Sequence, residues 1–176
     1  DDRYYPNEAA TNGRRLIHQH DVPVIFCPHS GGVFALQEFN TDSGRPFLVM
    51  ASSSEPQILA RNNPLTVMIP PRYDAYFRPF ARRMLDVHGP RLGLVPGTHA
   101  YARQWTQGFT RVWRELGGEV LSDNRVDYNT ATDFASPVSR ALAEDPDVLF
   151  VGGPSQPTAL VMQEARQQGF TGGFAI

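Results

Sequence analysis

Residues Thr132–Phe170 read TDFASPVSRALAEDPDVLFVGGPSQPTALVMQEARQQGF, and their punctuation spells helix, tight turn, buried strand, glycine-lined loop and helix. Asp145-Pro146-Asp147 stops the first helix, because the residue before a proline is pushed out of the helical region. Val148-Leu149-Phe150-Val151 is an uninterrupted apolar run, the pattern of a parallel strand covered on both faces. Gly152-Gly153-Pro154-Ser155 opens a loop at the carboxyl end of that strand, where open α/β sheets bind their ligands. Helical spacing resumes from Thr158 to Gln168, and Gly169 ends it as the glycine just past the helix.

Working outward, the same alternation fills the second half of the chain. An amphipathic helix over Asp74–Val87 carries Tyr76, Phe77, Phe80, Met84 and Leu85. Strands are expected at Arg91–Val95, Glu119–Arg125, Val148–Val151 and Gly173–Ile176, with helices at Ala102–Leu116, Asp133–Ala143 and Pro157–Gln168. This spacing implies βαβ units and a mainly parallel sheet. The first half is sparser: a helix over Pro6–His20, a strand at Val22–Phe26, a helix over Gly31–Phe39, and extended runs at Arg45–Met50 and Leu65–Ile69. Pro70-Pro71 is the clearest punctuation and the expected boundary between two lobes, 1–70 and 71–176.

Composition narrows the class without naming a function. The chain has 176 residues, 41% of them hydrophobic and 19% charged, ordinary for a globular protein. A net charge of −2 gives no electrostatic argument for nucleic acid or an anionic membrane. The basic residues are all arginine and are scattered rather than clustered. No segment approaches the ~20 apolar residues of a membrane span. The single Cys27 cannot form an internal disulfide.

The phrases TDF, DPDVLFVGG and QEARQQGF, at these spacings, resemble the second lobe of the type 1 periplasmic solute-binding proteins, in particular the branched-chain amino-acid receptors of ABC importers. The likeness extends along the chain. Asp1-Asp2 with Pro6, Val24-Ile25 before Pro28-His29-Ser30-Gly31, and Met50-Ala51-Ser52-Ser53-Ser54 before Pro56 are similar to successive phrases of lobe one. Leu94–Tyr101, Gly108-Phe109 and Gly117-Gly118-Glu119-Val120 are similar to the opening βαβ of lobe two. The resemblance implies an α/β fold of two Rossmann-like lobes with mainly parallel sheets, present as a partial chain. The missing parts would be the first strand-helix-strand of lobe one and everything after the strand ending at Ile176.

It also implies a function: a periplasmic or cell-surface component that closes two lobes on a small carboxylate-bearing solute, an amino acid or derivative, for a membrane permease. No catalysis and no cofactor are required. A carboxylate wants backbone N–H groups at a helix N-terminus and a hydroxyl donor, and Ser30 and Gly31 stand after a strand at a helix start. By resemblance Ser30 supplies the hydroxyl, Ser53 a main-chain contact, Ser54 a second hydroxyl, and Tyr101 a ring that closes from lobe two. The plainer alternatives are an N-cap for Ser30, a polar turn for the serines and half-buried packing for Tyr101. Pro154-Ser155 stands where these receptors often carry an aromatic lid, a departure that bears on the aliphatic preference; Ser155 is the contact expected there. The acidic residue that pairs with a ligand ammonium would follow Ile176. His29 is expected to be a solvent-facing loop histidine, with donation to a ligand carboxylate as the alternative.

Other classes fare worse. Cys27-Pro28-His29-Ser30-Gly31 offers a thiol, an imidazole and a hydroxyl, but immediate neighbours on an extended chain point apart, and Pro28 replaces the first glycine of a nucleophile elbow. Cys27 is expected to be inert. A metal site drawn from His18, His20, Cys27 and His29 lacks ligand spacing, and no phosphate-binding glycine motif is present. A ligand-sensing regulatory or receptor module of the same fold remains the main alternative; a small-molecule hydrolase is a lesser one.

Overall fold

Pro6, with its fixed φ and missing N–H, suits the first position of a helix, and α1 runs Pro6–His20 until Asp21 turns left-handed at φ 51°. The computed structural model describes residues 1–42, 44–153 and 155–176, with the side chain of Ser155 outside that description. After α1 come β1 (Val24–Cys27), α2 (Ser30–Gln37), β2 (Leu48–Ala51), α3 (Gln57–Ala60) and β3 (Thr66–Met68). Then follow α4 (Asp74–His88), β4 (Arg91–Pro96), α5 (Ala100–Glu115), β5 (Glu119–Asp123), α6 (Ala135–Leu142), β6 (Val148–Gly152), α7 (Ser155–Gln167) and β7 (Gly173–Ala175). Internal contacts divide the chain into Asp1–Ala75 and Tyr76–Ile176.

In the first unit the strands form a parallel sheet in the order β1-β2-β3. Cys27 lies opposite Ala51 and Ala51 opposite Met68, so the carboxyl ends of the strands line up. The core gathers Ile17, Val33, Leu36, Phe47, Val49 and Ile58. Alternation along β1 sends Ile25 and Cys27 into that core and leaves Val24 and Phe26 exposed, Phe26 at 60%.

In the second unit the order is β5-β4-β6-β7, all parallel. The chain therefore leaves β4 to one side for β5 and returns on the other for β6, which makes the β4–β6 gap a topological switch point. The expectation for Val148–Val151 holds: every one of these residues is buried. Leu149 and Val151 face one way, into a cluster with Val138, Val161 and Ala165. Phe150 faces the other, 5.5 Å from Phe109 and 5.0 Å from Trp105 of α5.

Glycines end the helices as expected. Gly169 (φ 89°) donates to Arg166 and Phe170 to Ala165, and the same paired bonds close α5 at Gly117 and Gly118. Both are Schellman closures. Boundaries shift elsewhere. The strand expected from Arg45 begins at Leu48, because Phe47 N–H turns back to the Asn40 carbonyl. The helix expected from Asp133 begins at Ala135, whose N–H is taken by Asp133 Oδ1. α3 is an additional element, four residues long.

Candidate functional site

Two loops of the first unit leave neighbouring strands at the same edge. Ser52 N–H donates to the Cys27 carbonyl at 2.9 Å, which ties the β2 loop to the β1 loop. His29, Ser30 and Gly31 on one side, and Ser53 and Ser54 on the other, are thus brought to one edge of one sheet.

His29 corrects the expectation made for it. It is 7% exposed rather than solvent-facing, and it is the N-cap of α2, its Nδ1 accepting the Gly32 N–H at 3.0 Å. Ser30 is therefore the first helical residue and not the cap. Histidine is not among the usual N-cap residues, which is why the pattern was illegible. Its ring is held on the other side by Asp2, whose Oδ2 lies 3.0 Å from Nε2, and the Tyr4 ring packs 5.2 Å away. Burial works to raise the Asp2 pKa, but hydrogen bonds from His29 and the Tyr4 N–H outweigh it and hold the carboxyl below its usual value.

The first intrahelical bond of α2 runs from Val33 N–H to the His29 carbonyl. With the Gly32 N–H taken by the cap, the N–H groups of Ser30 and Gly31 have no acceptor among the described residues. Those two donors, at the positive end of a helix dipole, suit an anion. Ser30 is 2% exposed, and Gly31 half-buried. Ser53 is 5% exposed, and its Oγ is buried with no partner among the described residues. Ser54 is half-buried; its carbonyl accepts the Tyr73 N–H at 3.0 Å. Beside it, Glu55 is 1% exposed and accepts from Tyr73 Oη at 2.8 Å and from Gln57 N–H at 3.0 Å, which braces the loop.

In the second unit the loops after β4 and β6 are joined by the Gly97 N–H, which donates to the Gly152 carbonyl at 2.8 Å. Tyr101 lies in the first turn of α5, half-buried, its ring stacked on His99 at 6.5 Å. His99 caps α5 through Nδ1, which accepts the Ala102 N–H. Histidine thus caps the helix after the first strand of both units. Pro154 and the side chain of Ser155 lie outside the described residues. Thr158, one turn further along α7, has a buried Oγ1 without a partner among the described residues.

Asp2 is the neighbour of this loop that sequence reasoning missed, 27 positions from His29 with no local signal linking them. Cys27 and His29 are two apart on extended chain and so share a side, which the alternation of immediate neighbours does not exclude. One ligand-type atom each from Asp2, Cys27 and His29 lies within 4.8 Å of the others. The chemistry nevertheless opposes a metal there. An ion on Nε2 would put the ring hydrogen on Nδ1, where the Gly32 N–H already points. For the same reason the ring has no free lone pair with which to take a proton from Cys27. Burial raises the pKa of that thiol.

No curated protein matches the chain, but solved structures do. A leucine-binding protein, LivK, from Thermotoga maritima is 22% identical, with TM-score 0.83 over 99% of this chain and 49% of its own. A solute-binding protein of an ABC transporter from R. palustris, in complex with benzoate, is 17% identical, with TM-score 0.85 over 99% of this chain and 48% of its own. A periplasmic binding protein from Burkholderia mallei is 16% identical, with TM-score 0.85 over 100% of this chain and 48% of its own. The chain thus spans about half the length of these structures and shares their α/β fold with mainly parallel sheets. The profile of one family, described as periplasmic binding protein, matches residues 1–176. On that match the chain belongs to the periplasmic binding protein family.

Proposed function

We propose that this protein is the periplasmic or cell-surface solute-binding component of an ABC importer and that its solute carries a carboxylate. The observation that carries this reading is the start of α2. Two N–H groups without acceptors among the described residues, at Ser30 and Gly31, share a sheet edge with the Ser53 hydroxyl, which has no partner among them. A carboxylate needs that kind of donor set. Ser30, Gly31, Ser53 and Ser54 are its contacts in this proposal. His29 acts by holding the helix start and not by touching the solute. Binding shifts an equilibrium between forms that a membrane permease distinguishes.

The solute is an amino acid of the branched-chain type or an aromatic acid. The first follows from the sequence resemblance and the leucine-binding neighbour. The second is favoured by the neighbours in complex with benzoate and 3,4-dihydroxybenzoic acid. A thermal-shift panel of leucine, isoleucine, valine, benzoate and the corresponding amides separates them. A true solute at ~100 times its dissociation constant adds ~2.7 kcal/mol of stability. Amides that stabilise as well as acids would remove the carboxylate from the proposal. No shift with any compound would favour a sensor or receptor module of the same fold.

A further inference from the structure

Asp2 has a role that the donor set alone does not explain. A backbone N–H can only donate, so His29 Nδ1, 3.0 Å from Gly32 N, is the bare nitrogen and the ring hydrogen sits on Nε2. Asp2 Oδ2, 3.0 Å from Nε2, is the acceptor that keeps it there. We propose that Asp2 is a positioning residue for the solute site: by fixing the His29 tautomer it keeps Nδ1 available to the Gly32 N–H and so holds the Ser30 and Gly31 donors in place. The inference rests on the reading of α2 as the carboxylate site.

Asp2, Cys27 and the Tyr4 ring are the groups that face the imidazole. The thiol of Cys27, its pKa raised by burial, stays neutral, so the carboxylate is the charge that acts on the ring.

Two measurements test this. Nitrogen NMR of 15N-histidine-labelled protein at neutral pH is expected to show the His29 hydrogen on Nε2, and a tautomer mixture in Asp2→Ala. A hydrogen found on Nδ1 of the wild type would overturn the proposal. Calorimetric titration with benzoate and with leucine then compares wild type, Asp2→Ala, His29→Asn and the double variant. Asp2→Ala is expected to weaken binding about fivefold, the equilibrium factor of one typical N-cap. Asparagine caps without a tautomer to choose, so in the His29→Asn background Asp2→Ala should change affinity by less than about twofold. Equal losses in both backgrounds would mean that Asp2 merely anchors its own segment, and the proposal would fall. If neither compound binds, it is the solute reading that fails, and the ring spectrum, which needs no solute, still decides the tautomer.

Discussion

Replacing Ser53 by alanine should strengthen the empty protein and weaken the loaded one. Ser53 is 5% exposed and its Oγ has no hydrogen-bond partner among the described residues, although its neighbours Ser52 and Ser54 are both tied by backbone bonds. A buried hydroxyl left unsatisfied costs about 1–3 kcal/mol. Alanine removes that cost and gives up only the packing of a single atom, so the net gain should be about 1 kcal/mol at the lower end of that range. In a unit of residues 1–75, 1 kcal/mol moves the melting temperature by roughly 4–8 °C. With solute present the sign reverses, since a ligand hydrogen bond worth about 1 kcal/mol is lost, a factor of about five in affinity. Urea unfolding followed by circular dichroism, with and without solute, reads both. A variant less stable than wild type without solute would show that the hydroxyl is already satisfied, and the reasoning would be refuted. Sites selected for function commonly carry such a local stability cost.

Gly32→Ala should destabilise the first unit although alanine is the better helix former by ~1 kcal/mol. A Cβ there would lie 2.6 Å from His29 Nε2 and 2.7 Å from Cys27 Sγ, and overpacking of that kind costs ~1–3 kcal/mol before the lost cap is added. At Gly31 the nearest atom is Pro6 Cγ at 3.0 Å, which has to yield by only a few tenths of an ångström, so Gly31→Ala should cost clearly less than Gly32→Ala; equal effects at the two positions in urea melts would contradict the packing described. Asp2, held below its ordinary pKa of 3.8, contributes stability that is complete above that value and is lost as pH falls below it through the folded-state pKa. An Asp2→Asn variant should lose that part of the acid dependence, and an unchanged acid titration curve would count against the Asp2–His29 bond. Tyr128→Phe removes the hydroxyl that donates to the Val95 carbonyl at 2.8 Å and should cost about 1 kcal/mol, read in the unfolding of the second unit.

The fold was legible because its signals are local and redundant. The apolar run at Val148–Val151, the glycines at 117 and 169 and the proline at 146 each report the backbone directly, and βα alternation follows from their order. The short α3, four residues after Pro56, carries too few positions for any periodicity. Phe47 looked like a strand residue because it is apolar and buried, but burial and pairing are separate properties. The candidate site was legible only as places along the chain: a serine at a helix start, a run of serines after a strand. Its electrostatics were not. The His29 cap depends on a tautomer, the tautomer on Asp2, and Asp2 on a contact that the fold makes and the local sequence does not announce. His99 repeats the cap at α5 and was overlooked because histidine is not a usual N-cap residue.

The central claim is that the start of α2 reads a carboxylate. Its most direct test is calorimetric titration of the wild type and Ser30→Ala with the acid that gives the largest thermal shift, alongside the matching amide. The account predicts single-site binding of the acid, loss of about tenfold or more in Ser30→Ala, the weight of one hydrogen bond from the hydroxyl to a charged group, and little binding of the amide to either protein. Tight binding of the acid with affinity unchanged in Ser30→Ala, or equal binding of acid and amide, would contradict it.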